Sequence, residues 1–402
     1  MDFSIPETLS QTLRVVRHFV ESTLFPLEPQ LATGPFHALV PALDAARAQA
    51  RALGIWAPQL PQSLGGMGLS LPDLALVGEE LGKSPLGHYA VNAQAPDAGN
   101  MELLHLFASD PQKSRWLLPL AQGEIRSCFA MTEPDYPGSN PIWMGTTAVL
   151  NGDSYRINGR KWFASGADGA SLAIVLAVTN PDADPHRRAS LFLVPTDTHG
   201  YHHIRNISCM GHAGDGWPSH AELAFDNCHV RLSARLGAEG AGFSLAQARL
   251  GPGRIHHCMR WIGVCERAFS MMAHRAANRM LAPNDPLGSR QTIQNWLAES
   301  RAEIDAARLL VLRAAWTIDR QGPSSPEARA AVSLIKFHVA AVLQSVIDRS
   351  LQTHGALGIS DDIILSYFYR QERAARIYDG PDEVHKSSLA RQIIKQFTPR
   401  ES

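Results

Sequence analysis

Between Ile255 and Met272 the apolar residues Ile255, Cys258, Ile262, Cys265, Phe269 and Met272 fall at spacings of three, four, three, four and three. That rhythm lines them up on one stripe of an α-helix, and the stripe needs other helices to cover it. The punctuation downstream supplies them. The first helix, read as starting at Gly253, is broken by Asn284-Asp285-Pro286-Leu287-Gly288, and a second is predicted over Thr292 to Arg320. Gln321-Gly322-Pro323 ends it, and Ser325-Pro326 opens a third with a cap residue and a proline at the first helical position. Gly355 and Gly358 close the third, a fourth covers Asp362 to Ile377, and a short terminal helix follows Asp379. The C-terminal portion therefore reads as a helix bundle.

Upstream the period changes. In "TTAVLNGDSYRINGRKW" two Asn-Gly pairs occur, and Ala148, Leu150, Tyr155 and Ile157 alternate around the first, the mark of a β-hairpin. "SLAIVLAV", "ASLFLVP" and "HAELAFDNCHV" are further strand-like runs separated by Asp, Pro and Gly. Before about Gly123 the pattern is helical: Leu43 to Leu53 and Leu71 to Leu81 carry apolar residues three and four apart, and the N-terminus forms an amphipathic helix. An α+β multidomain chain follows, with a helical domain over 1–126, a β-barrel domain over 127–235 and a helix bundle over 236–402.

A chain of 402 residues exceeds what one core usually serves, which agrees with three units. Lys plus Arg number 37 against 38 Asp plus Glu, so no charge excess points to nucleic acid or an anionic membrane. Five cysteines with no Cys-x-x-Cys pair argue against a disulfide framework or zinc ribbon and favour a reducing compartment. The N-terminus lacks the features of a secretory signal, and no apolar run is read as approaching the ~20 residues of a membrane span. A cytoplasmic location is the expectation.

No Gly-x-Gly-x-x-Gly, Walker loop or Gly-x-Ser-x-Gly elbow is present. "GPGR" at Gly251 to Arg254 reads as a turn and cap, or as a helix start whose N–H groups face an anion with Arg254 beside it. Neither His202-His203 nor His256-His257 chelates by itself, because neighbours on a strand or helix point apart, and no metal site is expected. In "RIYDGPDEVH", Asp379 has two readings. It is the cap of the last helix, with Pro381 in the first turn, or it is a catalytic carboxylate.

Taken together, "CFAMTEPDYPGSN", "INGRKWFASG", "LGPGR", "QTHGALG" and "IYDGPDEVH" resemble, in order and along nearly the whole chain, the motifs of the FAD-dependent acyl-CoA dehydrogenases. "APDAGNM", "LGPGRIHHCMR" and "DGPDEVH" resemble the branch of animal members ten and eleven and their bacterial relatives. The phosphotransferase-like domain that those animal proteins often carry is not expected here.

The resemblance implies a helical domain, a β-barrel and a four-helix bundle. It makes Asp379 the base that takes the α-proton of an acyl-CoA while hydride leaves the β-carbon for flavin N5, giving a trans-2-enoyl-CoA in fatty acid β-oxidation. Burial beside acyl carbons is expected to raise the pKa of that carboxylate. Met131, Thr132, Ser139, Trp162 and Ser165 fall at flavin-contacting positions, and Arg279, Gln352 and Gly355 at positions that reach the FAD of a neighbouring subunit. Pro381 and Glu383 flank the flavin beside the base, and Arg254 and Gly380 contact substrate. A homodimer or homotetramer and an electron-transfer flavoprotein as electron acceptor follow from the same resemblance. The rival readings are a flavin oxidase or monooxygenase on this fold, like the nitroalkane oxidases, and a catalytically silent scaffold that binds acyl groups or partners.

Overall fold

The computed structural model of the chain describes residues 4–398, and not the side chains at 250–252. The N-terminal unit is helical. Helix α1 (Glu7–Phe19) buries Leu9, Leu13, Val16 and Phe19, one face of an amphipathic helix. Helices α2 (Val40–Ala52), α3 (Leu71–Gly82) and α4 (Asp97–Phe107) complete its frame. Ser70 caps α3 by accepting from the Asp73 N–H at 3.3 Å, with a proline in the first turn.

Eight strands follow: β1 (Ser127–Ala130), β2 (Thr147–Asn151), β3 (Ser154–Ser165), β4 (Leu172–Val178), β5 (Ala189–Pro195), β6 (Tyr201–Asn206), β7 (His220–Arg231) and β8 (Arg235–Leu236). They form one sheet in the order β6-β7-β3-β2-β4-β5-β8, with β1 parallel to β4. The hairpin predicted at the first Asn-Gly is present: Ala148 faces Ile157 and Leu150 faces Tyr155. Gly152 turns it at φ 63°, a backbone that favours glycine. The second Asn-Gly makes no turn; it sits inside β3, where the pairing with β7 shifts register after Ile157. Strand β4 is buried on both faces, because Leu172, Ile174 and Leu176 join the core shared with the helices while Ala173, Val175 and Ala177 join the core on the sheet's other side.

The bundle is built on α5 (Gly242–Asn278), α6 (Gln291–Gln321) and α7 (Pro326–His354), followed by α8 (Leu365–Glu372) and α9 (Asp382–Phe397). The seam of α5 is where the spacing put it: Ile255, Cys258, Ile262, Cys265 and Met272 are buried, and Phe269 packs against them half-buried. The helix begins at Gly242, eleven residues before the predicted start, and runs through Gly251-Pro252-Gly253. Leu245 and Ala246 are buried upstream, and Gly242 is pressed against the Ala189 carbonyl, so packing on the sheet overrides the local breaker signal. Helices α3 and α5 cross at bare backbone, since a Cβ on Gly82 would strike the Arg260 carbonyl and one on Gly263 the Glu79 carbonyl. The predicted fourth helix is shorter than Asp362 to Ile377; α8 passes into a 3-10 turn over Arg373–Arg376.

One helix departs from the expectation about apolar length. α7, 29 residues long with mean hydropathy 1.7 over its most apolar stretch, is long and apolar enough to cross a membrane. Here it serves as a core helix: Ile335, Val339, Leu343, Val346 and Ile347 are buried in the bundle, and the charged Lys336 is buried with them.

Candidate functional site

The segment from Tyr378 to Pro381 joins the 3-10 turn to α9. Asp379 lies at φ 54° and Gly380 at φ 97°. Asp is among the side chains that tolerate the left-handed region, while Gly380 has no alternative, because a Cβ there would stand 2.7 Å from His385 Nε2. The N-cap of α9 is Pro381, so Asp379 does not cap the helix.

What holds this bend is a set of donors on its carbonyls. The Asp379 carbonyl accepts from Arg254 Nε at 3.1 Å and from His385 Nε2 at 3.0 Å. Lys336 Nζ donates to the carbonyls of Ala375 at 2.7 Å and Gly380 at 3.2 Å. His385 must carry its proton on Nε2 to make its bond. Burial, with the nearby Arg254 charge, pushes its pKa down to about 4, so the ring is neutral. Among the described residues, no carboxylate is in contact with Lys336. Two carbonyls and the rings of Trp261 and Tyr378, 5.4 and 5.6 Å away, surround its ammonium.

The Asp379 carboxylate meets a histidine. Its Oδ2 is 3.2 Å from His257 Nε2, and the two side chains are 20% and 18% exposed. The His257 ring stacks on Trp261 at 6.0 Å and meets the edge of Tyr378 at 5.1 Å. Tyr378 is itself fixed by Arg260 and by Trp261 Nε1, both at 3.0 Å from its hydroxyl. Without an acyl chain over it, the Asp379 carboxyl is held below its ordinary pKa. Burial does push it up, but the His257 hydrogen bond and the charges of His257, Arg254 and Arg249 outweigh burial and hold the carboxyl well below the usual carboxylate range. Arg249 ties this corner to the other domains: it donates to Asn100 Oδ1 on α4 at 2.9 Å and lies 4.3 Å from the Phe129 ring on β1.

Strand β1 leads into Met131-Thr132-Glu133. Thr132 and Trp162 grip each other, the Trp162 N–H donating to the Thr132 carbonyl at 3.0 Å and Thr132 Oγ1 to the Trp162 carbonyl at 2.8 Å. Trp162 is free to do so because the β3–β7 ladder skips from Lys161 to Ala164. Lys161 Nζ donates to the Met131 carbonyl at 2.9 Å and to Glu133 Oε1 at 2.8 Å. Burial pushes the Lys161 pKa down to about 8 against the opposing charge of Glu133. Ser165 Oγ is 2.8 Å from His220 Nδ1, Ala164 is fully buried, and Ser139 is exposed in the following loop.

Not every predicted residue joins this cluster. Arg279, at the C-terminal end of α5, and Gln352 and Gly355, at the end of α7, are exposed. Pro381 and Glu383 open α9 beside Asp379. Arg254, expected near the CoA portion of a substrate, has its Nε committed to the Asp379 carbonyl. Two features fit a flavin. Among the described residues Asp382 Oδ1 is buried without a partner while Oδ2 accepts from Arg376 Nε at 2.7 Å, which leaves an acceptor for a hydroxyl. Phe163, at φ 50° and 44% exposed, leaves apolar ring surface uncovered beside Trp162 and Thr132.

His257, Lys336 and His385 were not among the sequence candidates. His257 carried a signal: it follows Arg254 by three residues and so shares its helix face. Lys336 carried one as well, as a charge inside the apolar run of α7.

Comparison with known proteins matches the three units to family models: acyl-CoA dehydrogenase N-terminal domain over residues 6–124, middle domain over 128–228 and C-terminal domain over 240–394. "Probable acyl-CoA dehydrogenase FadE2" of Mycobacterium tuberculosis is 44% identical over 372 residues, 91% of this chain and 89% of its own. "Acyl-CoA dehydrogenase family member 11" of Mus musculus is 39% identical over 97% of this chain, which spans about half of that longer relative, 51%. A solved structure from Mycobacterium abscessus superposes with a TM-score of 0.93 at 38% identity, covering 98% of this chain and 100% of that one. FAD is the cofactor of proteins with these domains. With all three domain models matched in order on the fold described above, the chain belongs to the acyl-CoA dehydrogenase family.

Proposed function

We propose that this protein dehydrogenates an acyl-CoA thioester across its α,β bond to the trans-2-enoyl-CoA, with Asp379 as the base. The observation that carries this reading is the construction of the Asp379 bend. A carboxylate at a left-handed backbone position has its carbonyl held by Arg254 and His385, while its Oδ2 is paired with His257. A cap or a solvated loop needs none of this; a group that must meet one carbon atom does.

The chain contributes a charged base and its placement. Asp379 waits ionised, and an acyl chain seated over it would expel water and strip away solvation, which brings its proton affinity closer to that of the acidified α-carbon. The Asp379 N–H is the donor proposed for the thioester oxygen, where negative charge develops as the proton leaves. Bound FAD supplies the acceptor for the hydride from the β-carbon. Met131, Thr132, Ser139, Trp162, Ser165, Pro381 and Glu383 are the proposed flavin contacts of the same subunit. The exposed Arg279, Gln352 and Gly355 are proposed to reach the flavin of a neighbour, so that the working unit is at least a dimer. An electron-transfer flavoprotein is the proposed electron acceptor.

The test is flavin absorbance under anaerobic conditions, with wild type and Asp379→Asn each mixed with acyl-CoAs of varied length and branching. Bleaching of wild type and not of the FAD-loaded variant is expected. Equal bleaching of both removes Asp379 as the base, and no bleaching by any thioester removes the dehydrogenase reading. Rapid reoxidation of the reduced flavin by oxygen would move the assignment to an oxidase.

A further inference from the structure

We propose that His257 is a positioning residue for Asp379, and that the shared face of α5 carrying Arg254 and His257 grips the base at two points, main chain and side chain. This inference rests on the reading of Asp379 as the base.

The geometry is that of a clamp. Arg254 and His257 are three residues apart on one helix and point the same way. The first bonds the Asp379 carbonyl at 3.1 Å, and the second lies 3.2 Å from Oδ2. Fixing a peptide carbonyl and a carboxylate oxygen of the same residue leaves χ1 and χ2 little freedom. The two contacts hold the residue at φ 54°, a left-handed backbone that Asp tolerates better than most side chains but that few residues adopt. His257 is in turn unable to swing away: Trp261, four residues on, covers one face, and the Tyr378 ring abuts it edge-on. Tyr378 immediately precedes Asp379 and is tethered to Arg260 and Trp261. Base and clamp therefore share one aromatic frame.

The pairing also sets when the base is ionised. Among the described residues, the other titratable or charged groups facing the pair are Arg249, Arg254, His256 and Cys258 on α5, Tyr378 beside it, Lys336 on α7, His385 on α9 and His88 between α3 and α4. Burial pushes His88, His256 and His385 down, so they stay neutral near pH 7. Without His257, burial would act on Asp379 against fewer opposing groups, and its acid limb would move to higher pH.

The experiment measures proton abstraction apart from flavin reduction. FAD-loaded wild type, His257→Gln and His257→Phe are incubated in D2O with 3-thiaoctanoyl-CoA, whose β-carbon is replaced by sulfur so that no hydride can leave. Exchange of its α-hydrogens is followed by mass spectrometry across pH. His257→Gln, which keeps a donor, is expected to exchange near the wild-type plateau rate with its acid limb at least one pH unit higher. His257→Phe, which keeps the stacking and loses the donor, is expected to show the same limb shift and a plateau at least tenfold lower. Should the Phe variant fail to retain FAD, the limb of His257→Gln decides. Acid limbs that coincide with wild type overturn the role of His257, whereas wild type that never exchanges overturns the assignment of Asp379 as the base.

Discussion

Lys161 Nζ sits 2.8 Å from Glu133 Oε1, and the two side chains are 0% and 4% exposed. The pair ties the segment after β1 to the strand that presents Trp162. Glu133 is otherwise fully engaged, its Oε2 accepting from the Gly145 N–H at 2.7 Å and its Oε1 from the Thr146 N–H at 3.0 Å. Removing the ammonium leaves a carboxylate buried with neutral donors only. Lys161→Met is therefore expected to destabilise the protein by about 3–5 kcal/mol, and the double variant Lys161→Met/Glu133→Gln by distinctly less. Denaturant unfolding of the three proteins checks this, and a double variant no better than the single one would sink the account.

Gly380 is the position on which the bend depends. Gly380→Ala adds a Cβ at φ 97° that meets His385 Nε2, and His385 holds the Asp379 carbonyl. The expected outcome is a carboxylate displaced by ~1 Å and a fall of about a hundredfold in the rate of flavin reduction, with the helix content of the protein unchanged. Rapid-mixing absorbance with an acyl-CoA reads the rate and circular dichroism reads the fold. A variant that reduces its flavin at the wild-type rate would show that the bend has no bearing on the chemistry.

Periodic burial was legible in the sequence, and contacts between distant segments were not. The seam from Ile255 to Met272 and the alternation around Asn151-Gly152 each follow from side-chain period, and both stand in the structure. The start of α5 was misplaced because Gly251-Pro252-Gly253 is a breaker only until Leu245 and Ala246 are packed, and packing is not local. The same holds at the site. Asp379 could be singled out from its motif, but its partner His257 lies 122 positions away and was set aside with His256 as a non-chelating pair. Lys336 needed the knowledge that α7 passes beneath the bend. For a related reason the sequence shows only one side of the Asp379 pKa: burial, which raises it, is foreseeable, and the charges gathered around the carboxyl, which lower it in the structure without an acyl chain, are not.

Asp379→Glu tests whether the pocket is cut to the shorter acid. One extra C–C bond moves the carboxylate by ~1.5 Å, enough to carry it past the donor now 3.2 Å from Oδ2. FAD content is expected to be unchanged and flavin reduction to slow by about tenfold to a hundredfold. A Glu variant as fast as wild type in single-turnover measurements would mean that the bend accommodates either acid and that the His257 contact sets no distance.

Glu28 offers a pH test far from the chemistry. Its side chain is 5% exposed, Oε1 has no hydrogen-bond partner among the described residues, and Oε2 is 3.6 Å from Arg267 Nη2. Burial pushes its pKa up from 4.5 to about 7, with the Arg267 charge and the Ser84 hydroxyl only partly opposing. The folded protein thus holds this proton more tightly than the unfolded chain does. Its contribution to stability is complete below pH 4.5 and is lost as pH rises through about 7. The interval corresponds to at most about 3 kcal/mol. Glu28→Gln cannot titrate, so the stability of the variant relative to wild type should increase between pH 4.5 and pH 8. Thermal unfolding of the FAD-loaded proteins at several pH values reads the difference directly. A constant offset between the two curves across that range would show that Glu28 is ionised in the folded protein throughout, with Arg267 outweighing burial.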